Sequence, residues 1–135
     1  MPEIEEALVA HLLAQPGLTA LIGNRLYPDL LEDDTSLPAV VYLNVSDTKD
    51  HTLAGQLDLE SPVIQFTAYA TTKAGAKAVA AQLKTALSDY HGTLSGVPVQ
   101  YIKLLNELSS SSTTADGMVR VFTTDLEFEV NYERS

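Results

Sequence analysis

The stretch Phe122-Thr-Thr-Asp-Leu-Glu-Phe-Glu-Val-Asn-Tyr132 decides the fold. Phe122, Leu126, Phe128, Val130 and Tyr132 alternate with Thr123, Asp125, Glu127, Glu129 and Asn131. That two-residue period is the mark of a strand whose successive side chains point to opposite faces. One face is packed and the other acidic and wet, which is the pattern of an antiparallel sheet covered on one side.

Working back from this strand, Val97 to Leu105 predicts another, reached through Gly96 and Pro98. Pro62 to Ala70 predicts a third, with Ile64, Phe66 and Ala68 on one face and Val63, Gln65, Thr67 and Tyr69 on the other. Pro38 to Ser46 predicts a fourth, supported by Val40, Val41, Leu43 and Val45. Between the strands lie two helical patterns. Glu3 to Gln15 places Ile4, Leu8, Val9, Leu12 and Leu13 on one stripe, with early glutamates at the positive end of the dipole and Pro16-Gly17 as the stop. Thr71-Thr72 caps a second helix running to about Tyr90, with Ala76, Val79, Ala80, Leu83, Leu87 and Tyr90 as its stripe and Gly92 as its C-terminal cap. Lys73, Lys77 and Lys84 fall outside that stripe. Leu18 to Ile22 reads as a short helical turn left through Gly23 or Asn24, followed by a brief extended piece at Leu26-Tyr27. The expected fold is one α+β domain over residues 1–135: an antiparallel sheet of about four strands, packed on one face by two helices, in the order α-β-β-α-β-β. Mobile loops are expected at 29–36, 47–60 and 109–116, the last because its serines and threonines bury too little apolar area.

Composition narrows the function classes. The chain has 135 residues and a formal net charge of −10, which opposes binding to phosphate backbones. It has no cysteine, so no disulfide framework or thiolate chemistry is available. No apolar run approaches the ~18 residues needed to span a bilayer. Glu3, Glu5 and Glu6 stand where a signal peptide would carry basic residues, so export by that route is not expected.

Catalytic and ligand motifs are lacking. His11, His51 and His91 have no zinc-ligand spacing, and no serine sits in a GxSxG elbow. Lys73-Ala-Gly-Ala-Lys77 lacks the glycine order of a phosphate loop. The acidic run Asp29, Glu32, Asp33 and Asp34 lacks the register of an EF-hand and reads as a solvated loop. Asn44-Val45-Ser46 is a glycosylation sequon placed inside a strand. Asp125, Glu127 and Glu129 line one strand face, where they read as a solvated surface or as charges paired across a subunit contact or facing a channel. No catalytic residue, metal site or cofactor is expected.

In order and spacing, several segments carry a resemblance. They are the N-terminal helix, Leu18-Thr-Ala-Leu-Ile-Gly-Asn-Arg-Leu-Tyr-Pro28, Leu37-Pro-Ala-Val-Val-Tyr42, Val63-Ile-Gln-Phe-Thr-Ala-Tyr-Ala70, the alanine-rich helix and the closing strand. Together they resemble the tail completion (tail terminator, or tail-to-head joining) proteins of long-tailed bacteriophages and prophages. That resemblance implies a non-enzymatic virion protein, assembled in the host cytoplasm, that caps the tail tube and joins it to the head. It implies self-association as a ring, commonly a hexamer, with tail tube and head–tail connector proteins as neighbours. DNA would pass through without specific binding, and no membrane is involved. Contact candidates are Arg25, Tyr27, Asp33, Asp34, Lys49, Asp50, His51, Ser110, Thr113 and Asp116; for Arg25 a local ion pair with Asp29 or Glu32 is the plainer role. The competing expectations are a small ligand- or peptide-binding module and, last, a hydrolase using His51 with Asp47 or Asp50.

Overall fold

The computed structural model describes residues 4–29, 37–46, 59–94, 96–113 and 120–133. Among the described residues three helices are formed, α1 (Ile4–Leu13), α2 (Pro16–Ile22) and α3 (Lys73–Leu87). The strands are β1 (Leu26–Pro28), β2 (Ala39–Ser46), β3 (Leu59–Glu60), β4 (Val63–Ala70), β5 (Gly92–Leu94), β6 (Val97–Thr113) and β7 (Arg120–Glu133). They make one sheet in the order β1-β2-β4-β7-β6-β5, with β3 also paired to β7. Every pairing is antiparallel except β1 with β2, which is parallel.

Strand β7 is central because its alternating pattern lets it bury one face while both edges are paired. It binds β6 along most of its length and β4 from Phe122 to Glu129. Strands β3 and β4 lie along the same side of β7 and are separated by Ser61-Pro62. Proline has no N–H to give the ladder, but the Pro62 carbonyl still accepts from the Val130 N–H at 3.0 Å. The Asn131 side chain donates to the Ser61 hydroxyl at 2.6 Å, so this buried break leaves two polar groups satisfied.

The helices cover one face of the sheet. Ile64, Phe66 and Ala68 of β4 and Leu126, Phe128 and Val130 of β7 meet Val79, Ala80, Leu83 and Leu87 of α3 in a single core cluster. Phe66 and Phe128 pack edge to face, centroids 6.0 Å apart, the arrangement the ring quadrupoles favour. Leu8 and Leu12 of α1 and Leu18 and Ile22 of α2 complete the layer, all fully buried. The expected cap of α3 is formed, the Thr72 hydroxyl accepting from the Gly75 N–H at 3.0 Å. Gly23, at φ 62°, ends α2 with its N–H on the Thr19 carbonyl.

The α+β class and the helix-covered sheet match expectation, while the element count and order do not. The four expected strands became seven and the two helices three. Pro16 starts α2 at the position where a missing N–H costs nothing. The piece at Leu26-Tyr27 joins the sheet because β2 offers it a parallel edge. Leu59–Glu60, expected in a loop, pairs with β7. Helix α3 stops at Leu87, and Gly92 opens β5 instead of capping the helix. The largest correction is at Ser109–Thr113, expected as loop but forming the end of β6. Residues of β7 supply both the backbone ladder and hydroxyl partners: Ser110 and Thr123 lie 2.7 Å apart and Ser109 and Thr124 3.4 Å apart. Low apolar content does not prevent a strand when its partner is fixed by its own core.

Leu83 is wholly buried in this layer, whereas Lys77 of the same helix is exposed. Leu83→Ala is expected to cost about 2–5 kcal/mol of unfolding free energy through lost contacts and a cavity. Lys77→Ala should stay within about 0.5 kcal/mol of the parent. Urea unfolding followed by circular dichroism measures both, and equal losses would contradict the packing described.

Candidate functional site

The sheet face turned away from the helices carries the chain's polar chemistry. Register places Val41, Thr67, Asp125 and Leu108 on one rung and Leu43, Gln65, Glu127 and Asn106 on the next. Asp125, Glu127 and Glu129 are half-buried, not fully solvated, because β7 lies in the middle of the sheet. Two of these carboxylates accept hydrogen bonds. The Thr67 hydroxyl donates to Asp125 at 2.8 Å and itself accepts from the Gln65 amide at 3.1 Å. The Tyr101 hydroxyl donates to Glu129 at 2.8 Å, with Lys103 opposite Glu129 on the neighbouring strand. Burial raises the Tyr69 hydroxyl above its ordinary pKa, and the Asp125 charge adds to the effect. Tyr42, on the helix side near the far edge, is raised by burial and then by Glu5, Asp29 and Glu6.

Of the residues singled out from sequence, four are described. The Arg25 guanidinium donates to the carbonyls of Pro38 at 2.9 Å and Leu21 at 3.4 Å, holding the α2–β1 turn against the start of β2. Tyr27 is half-buried in β1, opposite Val41. Ser110 and Thr113 are exposed on the end of β6. Asp33, Asp34, Lys49, Asp50, His51 and Asp116 lie outside the described residues, as do Glu32 and Asp47. His11 is held structurally, its Nε2 3.0 Å from the Ala86 carbonyl and its ring 4.9 Å from Tyr90. Among the described residues no three His, Asp or Glu side chains cluster as a metal site, and no helix is long and apolar enough to cross a membrane.

Sequence reasoning missed three surface features. Leu43 and Val45 on β2 and Leu105 and Leu108 on β6 are large apolar side chains left 41–58% exposed. The signal was the apolar content of Leu104-Leu105-Asn106-Glu107-Leu108, hidden by ending the strand at Leu105. The second is the placement beside β6 of the lysines already read as lying off the apolar stripe of α3. Lys73, Lys77 and Lys84 recur at helical spacing, and Lys84 reaches Glu107 of β6 at 3.0 Å. The third is a cavity of about 200 Å³ between the start of α3 and the β6–β7 hairpin, lined by Lys73, Ala76, Ser109 to Ser111 and Phe122 to Thr124.

The family model for tail completion protein gp17 matches residues 6–133. Comparison with curated proteins gives no match. Among solved structures, the chain is similar to one from the virion of a native gene transfer agent (GTA) particle. That likeness has a TM-score of 0.75 and 23% sequence identity, and covers 97% of this chain and 95% of the other. At that identity the likeness speaks for the fold.

Raised tyrosine pKa values give the fold an alkaline limit. Folded Tyr69 keeps its proton above 10.0, where the unfolded residue ionises. The folded state then binds more protons than the unfolded one, so stability is unaffected below that pH and falls as pH rises through the folded pKa. Tyr69→Phe is expected to lose less stability than the parent across that rise, read from urea midpoints at successive alkaline pH values. Identical losses in parent and variant would contradict the assignment.

Proposed function

Because the chain belongs to the tail completion protein gp17 family, and so is a structural protein of phage-like tails, we propose that it acts as a ring subunit. The ring ends the tail tube and joins it to the head, without catalysis. The observation that carries this reading is the sheet's two unlike ends, β1–β2 on one side and β6–β5 on the other. Two different edges on one subunit suit a head-to-tail contact, which generates rings when the rotation closes. The net charge of −10 supports a lumen that repels DNA and lets it slide. The exposed hydroxyls of Ser110 and Thr113 at the hairpin end are proposed contacts to tail tube or connector proteins, together with the loop residues named from sequence. Assembly takes place in the host cytoplasm.

A small-molecule role ranks second. The cavity beside Lys73 is its support, but about 200 Å³ of space with a mixed polar and apolar lining is below the ~300–1,000 Å³ usual for ligand pockets.

Particles produced without this chain should contain heads and tails that fail to join, and supplying it should restore joined particles under electron microscopy. The purified chain should give ring-shaped oligomers by light scattering and negative stain. Joined, infectious particles formed in its absence would overturn the reading.

A further inference from the structure

The two ends of the sheet match each other in hydrogen bonding, level, apolar content and charge. On β6 the Ile102 N–H and carbonyl point outward, since they bond to Tyr90 and Asp89. By strand alternation Leu104 also points its backbone groups outward. Among the described residues, nothing pairs with this side of β6 beyond Ile102. On β2 the Val40 N–H and the Tyr42 carbonyl point outward, to Arg25 and Asp29. The next outward residue is Asn44, past the end of β1 and without a described strand partner on that side. Asn44, Ile64, Phe128 and Leu104 form one rung across the sheet. Among the described residues, the outward N–H and carbonyl at each end of this rung have no backbone partner.

We propose that successive copies join head to tail by pairing the outer edge of β6, around Leu104, with the open end of β2, around Asn44, of the next copy. This proposal rests on the ring reading above and specifies its subunit joint. Strands β2, β4, β7 and β6 alternate in direction, so β2 and β6 run oppositely. Rotation about an axis along the strands preserves direction, which makes the joint antiparallel. Because both ends lie on one rung, the pairing brings the two copies together at the same level along the strands, which suits a head-to-tail contact that generates a ring when the rotation closes.

Side chains on both faces agree with this partner. On the open face, exposed Leu105 of one copy would lie beside exposed Leu43 and Val45 of the next, whereas Leu108 stands level with Val41, where β1 covers the edge of β2. On the helix side, Lys73, Lys77 and Lys84 flank β6, while Glu5, Glu6 and Asp29 surround the β2 end, where Asn44 donates to Glu5 at 3.3 Å. With Lys103 and Arg120, the β6 side holds five of the chain's eight Lys and Arg residues. A chain of strong negative charge thus keeps most of its positive charge on one flank, opposite an acidic one, and complementary flanks fix partner and register.

The absence of native cysteine makes the joint directly testable. Leu43→Cys would be combined in turn with Leu105→Cys and Asn106→Cys, and each full-length double variant oxidised. The expected result is a ladder of disulfide-linked multimers that stops at a closed species for at least one pair, with each single variant giving no species beyond a dimer. Leu105→Asp should lower the light-scattering mass to that of a monomer with an unchanged circular dichroism spectrum. If the parent forms rings but no pair gives a ladder, and Leu105→Asp still assembles, the joint is wrong while the ring reading stands. A parent that remains monomeric at high concentration and on isolated tail tubes would overturn both.

Discussion

Strand β7 must satisfy two sheet edges at once, and the other elements take their positions from that requirement. Its backbone groups alternate between β4 and β6, while its apolar residues alternate toward α3. Shifting it by one residue would put Leu126, Phe128 and Val130 on the open face and drive three carboxylates into the core. The register is therefore fixed by the sequence of one strand. Asp125, Glu127 and Glu129 must then stand about 7 Å apart along it, where like charges repel by only about 0.6 kcal/mol each in water. Hydrogen bonds from Thr67 and Tyr101 offset part of that cost.

How far the fold was legible follows from where each signal resides. Strands β7 and β4 and helix α3 declared themselves through their own periodicity, because each buries one face against a neighbour. The end of β6 did not, since Ser109–Thr113 owe their conformation to partners on β7, across the β6–β7 connection, and composition cannot register those partners. The three-residue strands β1 and β5 are too short to show a period and exist only as additions to an edge already present. Of the contact candidates, Arg25 illustrates the limit. Its charge suggested an ion pair with Asp29 or Glu32, of which Glu32 lies outside the described residues; what charge alone does not tell is that its guanidinium donates to the carbonyls of Leu21 in α2 and Pro38 before β2.

The polar chemistry of this protein is distributed over strands and edges instead of gathered in a cleft. The core layer uses apolar side chains from all three helices, which leaves the sheet's other face and its two ends as the variable surfaces. In the ring reading proposed above, such a subunit would work by how its outlines fit together, with carboxylates, hydroxyls and lysines setting which outline meets which.

Short β1 has a further consequence for the chain before it assembles. An uncovered strand edge invites indiscriminate β-stacking, and long flat edges seed insoluble aggregates. Strand β1 occupies the edge of β2 as far as Tyr42 and ends in Pro28, which has no N–H to offer. On the other side, the bulge near Leu105 and the charges of Lys103 and Glu107 disrupt what would otherwise be an even template along β6. Among the described strands, β1 and the register shifts of β2 and β6 break up both edges, which works against the even stacking that propagates aggregates.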